Sequence, residues 1–173
     1  MATCRARAAR SPTFARIPRN AHVEPFHHVV PALAPRGRVA MTRDELIAWG
    51  ESFGRAAAPP LVVALAGDLG AGKTTLAQAI CTGYGVTEPV TSPTFAIVHR
   101  YDAPKSPVYH LDLYRVQKPS ELVNIGWDEI AASHALVIVE WPERAGDLIP
   151  PGHVPIDLEH VASDPERRVL LAG

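Results

Sequence analysis

Cysteine is almost missing from this chain: 173 residues contain two, Cys4 and Cys81. They form neither a CxxC pair nor part of a Cys/His cluster, which excludes a disulfide framework and a structural zinc and fits a reducing compartment such as the cytoplasm. Long apolar runs are missing too. The longest, Leu61 to Gly67, is far short of the ~20 residues that cross a bilayer, so no helical membrane span is expected. Net charge is nearly absent at −1, but this average hides a division. Residues 1–40 carry seven arginines against one acid, Glu24, a balance of +6, whereas residues 41–173 carry ten Lys/Arg against seventeen Asp/Glu, a balance of −7. The body of the chain therefore lacks the basic footprint of a protein that grips nucleic acid unaided.

What is present divides at about residue 40. The first forty residues hold five of the seventeen prolines (Pro12, Pro18, Pro25, Pro31 and Pro35), spaced so that no helix of useful length survives between them. They contain no apolar h-region of a secretory signal, and Ser11 is their only serine, unlike an organellar transit peptide. The segment reads as a disordered extension, or as untranslated sequence ahead of a start at Met41; targeting and loose contact with RNA stay open as alternatives. From Met41 onward, Thr42 and Glu45 form a capping-box pattern. Leu46, Trp49 and Phe53 then recur at helical spacing on a surface helix, closed by Gly54 and the Ala-Pro-Pro run ending at Pro60.

Leu61–Ala66 is apolar on both faces, as expected of a strand in the middle of a sheet. It runs into Gly67-Asp68-Leu69-Gly70-Ala71-Gly72-Lys73-Thr74, which matches GxxxxGK[ST], the phosphate-binding loop. Glycines let backbone amides turn around phosphate oxygens, Lys73 brings a positive charge to the terminal phosphates, and Thr74 offers a hydroxyl to magnesium. The segment from Thr75 to Cys81 reads as a helix with Leu76, Ala79 and Ile80 on one face, ended by Gly83 and Gly85, its N-terminal dipole aimed at the anion.

Two acids are candidates to complete the site. Ala135–Val139 is a second fully apolar strand, ending in Glu140, Trp141 and Pro142; a carboxylate there can hold magnesium through its water shell. In Val108–Tyr114, period-two alternation places His110, Asp112 and Tyr114 on one face. A charge at Asp112 is costly unless paired, hydrated or near a cation; it could orient an attacking water or contact the metal shell. His110 reads as a hydrogen-bonded structural residue. Phe95–Tyr101 and Val108–Tyr114 are expected to form a hairpin, entered through Thr91-Ser92-Pro93-Thr94, whose hydroxyls suit either a phosphate-sensing switch loop or an ordinary turn. Pro119–Ile130 reads as one or two short helices, and Val154–Val161 with Arg167–Leu171 as a closing hairpin turning at Asp164 and Pro165. Pro142 is expected to hold Trp141 extended, with its indole either filling core or facing nucleotide or partner. The expected class is α/β: a single P-loop NTPase domain with a central mixed sheet flanked by helices.

No Asn-Lys-x-Asp segment for reading guanine is present, which favours ATP over GTP. Scattered arginines do not suggest the lid of a kinase. A P-loop small-molecule kinase and a non-hydrolysing ATP-dependent adaptor remain the alternatives to an ATPase.

Taken together, residues 67–75, Thr-Ser-Pro-Thr-Phe (91–95), His-Leu-Asp-Leu-Tyr-Arg (110–115) and Glu-Trp-Pro-Glu-Arg (140–144) resemble the TsaE family, the bacterial ATPase subunit of the tRNA threonylcarbamoyladenosine machinery. The resemblance implies a small P-loop fold in the cytoplasm that takes ATP and Mg2+ and hydrolyses weakly. It implies docking on the complex of TsaD with TsaB, which modifies the adenosine beside the anticodon in tRNAs reading codons that begin with A. This subunit would meet tRNA only through that complex, with no membrane involved. It matches residues 67–75 (Gly67, Asp68, Leu69, Gly70, Ala71, Gly72, Lys73, Thr74, Thr75) and Trp141 to the nucleotide, Thr74 and Glu140 to the metal, and Asp112 and Glu140 to catalysis.

Overall fold

The computed structural model describes residues 38–172. Most of the basic proline-rich extension read over residues 1–40, and Cys4 with it, lies outside them. Strand β1 (Arg38–Thr42) starts ahead of Met41, so the sheet reaches three residues into the segment read as extension. β1 pairs antiparallel with the last strand, which supplies the ladder partner that periodicity alone does not reveal. Thr42 then caps helix α1 (Arg43–Ala56). Its hydroxyl accepts the Glu45 amide at 3.3 Å while the Glu45 carboxylate accepts the Thr42 amide at 2.7 Å, the reciprocal capping box.

The remaining elements are β2 (Leu61–Gly67), α2 (Lys73–Tyr84), β3 (Val98–Tyr101), β4 (Val108–Asp112), a 3-10 turn over Pro119–Ile125, α3 (Trp127–Ala131), β5 (Leu136–Glu140), β6 (Val154–His160) and β7 (Arg167–Ala172). They build one mixed sheet in the order β1-β7-β6-β2-β5-β4-β3. The middle four strands run parallel, and antiparallel pairs close both sides. β2 is flanked on both sides, which accounts for its apolar run: alternate residues face opposite layers, with Leu61, Val63, Ala64 and Leu65 buried and the others half-buried. On one face Leu46, Phe53, Leu76 and Ile80 from α1 and α2 pack on Val63, Leu65 and Ile138. On the other, Leu122, Trp127 and Ile130 cover Leu111, Val137 and Val139.

Two glycines expected to stop helices lie inside them. A Cβ on Gly54 would stand 2.1 Å from the Ile80 carbonyl oxygen, and one on Gly83 would stand 2.0 Å from the Glu51 carbonyl oxygen. Both allow α1 and α2 to touch backbone to backbone, a demand of packing rather than of termination. Lys105, from the β3–β4 connection, ties off α1 by donating to the carbonyls of Arg55 at 2.7 Å and Ala57 at 3.0 Å. β3 starts at Val98, later than the expected Phe95, because the chain first closes a turn in which the Ile97 amide donates to the Pro93 carbonyl at 2.6 Å. Phe95 is accordingly 86% exposed.

Candidate functional site

Parallel strands bring their C-terminal ends to one edge, and three of them end there in functional groups. β2 delivers the glycine-rich loop, β5 delivers Glu140 and β4 delivers Asp112; Glu140 stands in register with Leu65 on one side and Asp112 on the other. A cavity of about 330 Å³ opens between them. Leu69, Gly70, Gly72, Lys73, Thr74 and Thr75 line it from the loop and helix start, with Thr94, Asp112, Tyr114, Glu140 and Trp141 opposite.

Three residues read as nucleotide contacts do not line this cavity: Gly67, Asp68 and Ala71. Gly67, at φ +129°, presses on β6, where a Cβ would meet the Leu158 carbonyl oxygen at 2.2 Å. Asp68 contributes its backbone carbonyl, and Ala71 is fully buried in the core. Gly72, at φ +103°, caps α2 without a side chain. The first intrahelical bond of the segment runs from Leu76 N–H to the Gly72 carbonyl, so the amides of Lys73, Thr74 and Thr75 precede the helical ladder and face an anion position.

Lys73 is 4% exposed and donates to the carbonyls of Gly67 at 2.6 Å and Asp68 at 2.8 Å. Its ammonium lies 3.6 Å from the centre of the Trp141 ring. Burial pulls this lysine below its ordinary pKa, against the opposing effect of the carboxylates of Glu140, Glu143, Asp112 and Asp68. Thr74 donates its hydroxyl to Glu140 Oε2 at 2.9 Å, and Glu140 Oε1 is held by His110 Nε2 at 2.8 Å. Asp112, 4% exposed, accepts from the hydroxyl of Thr94 at 2.5 Å and of Ser92 at 3.4 Å, and from the Tyr114 amide at 3.0 Å. The acid of β4 is therefore tied to the loop that leads into β3. That loop is fastened at its root: Gln78 donates to the Val90 carbonyl at 2.9 Å, and the Tyr101 hydroxyl bonds both the Thr91 amide and its carbonyl.

Trp141 departs from the extended conformation expected before Pro142. It adopts φ +60°, ψ +52°, a strained region for a residue with a side chain. Its amide still donates to the Leu65 carbonyl at 3.2 Å, while its carbonyl accepts from Arg144, so the chain must reverse within this one residue. The half-buried indole thereby stands at the mouth of the cavity, against Lys73 and the Tyr114 ring, whose centroid lies 5.0 Å away. Tyr114 and Thr94 stand inside the motifs 110–115 and 91–95, which do not by themselves mark them as lining the cavity. Their signal was period two for Tyr114, which shares a face with Asp112, and the hydroxyl cluster 91–94 for Thr94.

A twisted mixed sheet with parallel central strands, helices on both faces and a glycine-rich loop running from β2 into α2 defines a P-loop NTPase domain. The family model for threonylcarbamoyl adenosine biosynthesis protein TsaE matches residues 40–169, and the chain belongs to that family. It is 38% identical over 117 residues to the tRNA threonylcarbamoyladenosine biosynthesis protein TsaE of Bacillus subtilis, covering 68% of this chain and 72% of that one. To the protein of the same name from Treponema pallidum it is 32% identical over 134 residues, covering 78% and 98%. A Nostoc relative of that name is 45% identical over 87 residues, and the chain spans about half its length (53%). The crystal structure of Bacillus subtilis YdiB superimposes with a TM-score of 0.65 at 28% identity, over 79% of this chain and 85% of that one. Among the described residues no helix is long and apolar enough to cross a membrane.

Proposed function

We propose that this chain binds ATP with Mg2+, hydrolyses it weakly when alone, and acts in the cytoplasm with TsaD and TsaB to modify the adenosine beside the anticodon in tRNAs reading codons that begin with A. The observation that carries this reading is where the two acids are tied: Glu140 accepts from the Thr74 hydroxyl at the start of α2, and Asp112 accepts from the hydroxyls of Ser92 and Thr94 in the loop before β3. The acid read as catalytic, Asp112, is thus held by the same hydrogen bonds that place the loop before β3. Residues 38–173 carry this activity in our reading, because the sheet takes in the last three residues of the segment read as extension, and the part ahead of them is one that it does not need.

The donor set suits magnesium. Thr74 and Glu140 are hard oxygen donors, and among the described residues no group of three or more His, Cys, Asp or Glu forms a cage of its own. That is the pattern of an ion held by one or two protein oxygens, with phosphate and water completing the shell. Thr74 and Glu140 would hold it, and when bound it neutralises charge on phosphate oxygens. Lys73 exchanges two carbonyls for phosphate oxygens, a charge-assisted replacement for neutral acceptors. Asp112 orients the attacking water once Thr94 and Ser92 let go of its carboxylate. The 91–97 loop then takes a position that differs between nucleotide states and is read by the protein partner. The acidic body agrees with a subunit that leaves the gripping of tRNA to TsaD and TsaB.

ATP hydrolysis is measured for this chain alone and with TsaD and TsaB added. We expect slow turnover alone and a clear rise on addition; bound ATP with no rise would shift weight to the kinase and adaptor readings.

A further inference from the structure

We propose that His110 is a positioning residue for Glu140: its Nε2–H holds one carboxylate oxygen so that the other stays aimed at Thr74 and the cation position. The proposal rests on the reading of Glu140 as a magnesium-holding acid. A glutamate side chain has three rotatable bonds and would ordinarily sample many orientations. Here both oxygens are assigned, Oε1 to His110 at 2.8 Å and Oε2 to Thr74 at 2.9 Å. His110 reaches Glu140 diagonally across the β4–β5 ladder, from the position paired with Ile138, two residues before the pair Asp112–Glu140.

Burial argues that this contact is more than packing. His110 is 0% exposed and Glu140 2% exposed, so a neutral apolar side chain would fill the place without desolvating an imidazole. Nor is the ring there to satisfy itself: its Nδ1 is buried with no hydrogen-bond partner. A structural histidine normally settles both nitrogens, whereas this one settles only the nitrogen that meets Glu140. A carboxylate oxygen accepts, so the contact places a proton on Nε2 of the ring.

The test is calorimetric binding of a non-hydrolysable ATP analogue to the full chain, with Mg2+ and with a chelator, for the unmutated protein, His110→Gln, His110→Phe and Glu140→Gln. Mg2+ should tighten binding in the unmutated protein. His110→Phe should lose about tenfold of that gain with little change in chelator, and His110→Gln, whose amide can donate from a similar reach, should keep it. Equal gains in the Phe variant and the unmutated protein would overturn the proposal, as would equal losses in Phe and Gln. If Glu140→Gln loses the gain while His110→Phe keeps it, the positioning role alone falls; if the unmutated protein shows no gain, the magnesium reading of Glu140 falls and takes this proposal with it. Imidazole 15N spectra of the unmutated protein decide independently of how the variants fold. A protonated Nε2 is expected, and an unprotonated one overturns the assignment.

Discussion

Lys73 shows how a single side chain couples binding to readiness. Its ammonium is buried against two carbonyls and an indole, so a phosphate arriving there meets a cation already stripped of water. Lys73→Ala should weaken ATP binding by roughly a hundredfold or more, since charge-assisted bonds in a dry site are lost together; a titration calorimeter reads this directly. Asp112→Ala should behave differently. It removes the acceptor of the Thr94 hydroxyl but no phosphate contact, so ATP affinity should stay within a few fold while turnover drops by about two orders of magnitude, as measured by phosphate release. At this scale the motif residues were legible because their spacing is dictated by phosphate geometry. The hydroxyl partner of Asp112 was not, because Thr94 and Asp112 meet only after the chain has turned through Ile97 and returned along β4.

The elements show where local and tertiary demands disagree. Helix propensity alone says Gly54→Ala should stabilise α1 by about 1 kcal/mol. The added methyl would run into the Ile80 carbonyl, so we expect a net loss of roughly 1–3 kcal/mol instead, visible as a lower midpoint in thermal denaturation followed by circular dichroism. The sign of that change separates packing from propensity. The capping box gives a pH-dependent case. Hydrogen bonds from the Thr42 amide and hydroxyl, with a smaller effect of Arg167, hold the Glu45 carboxyl below its ordinary pKa. A depressed folded-state pKa contributes stability above the unfolded value and loses it as pH falls through the folded one. Glu45→Gln should therefore melt below the unmutated protein at neutral pH, with the gap closing as pH drops past the carboxylate range. This box was legible because its bonds span three residues. Gly85 does cap α2 and the Ala-Pro-Pro run does close α1, but Gly54 and Gly83 were not told apart from stops, since glycine marks both helix ends and close crossings and only the neighbouring helix distinguishes them.

At the level of the whole molecule the sheet is closed by residues that are far apart in sequence: β1 and β7 pair from Arg38↔Leu171 to Thr42↔Arg167. Periodicity located the central strands, because burial on both faces leaves an unmistakable apolar run. It missed β1, five residues with no local pattern, whose place is set by a partner more than a hundred residues away. A chain beginning at residue 38 should therefore retain the melting temperature and ATP affinity of the full protein, while one beginning at residue 43 should lose stability and associate through the bared edge of β7. Melting curves and size-exclusion chromatography distinguish the two.

The strained turn at Trp141 has an optical consequence. Of the three tryptophans, Trp49 and Trp127 are buried in the two core layers, and only Trp141 borders the cavity. Its indole lies against the Lys73 ammonium, so any ligand that draws that charge away alters the excited state of one ring and leaves the other two as a constant background. The protein carries its own fluorescent gauge of occupancy, and stopped-flow emission from unlabelled material can time how fast the lysine changes partners.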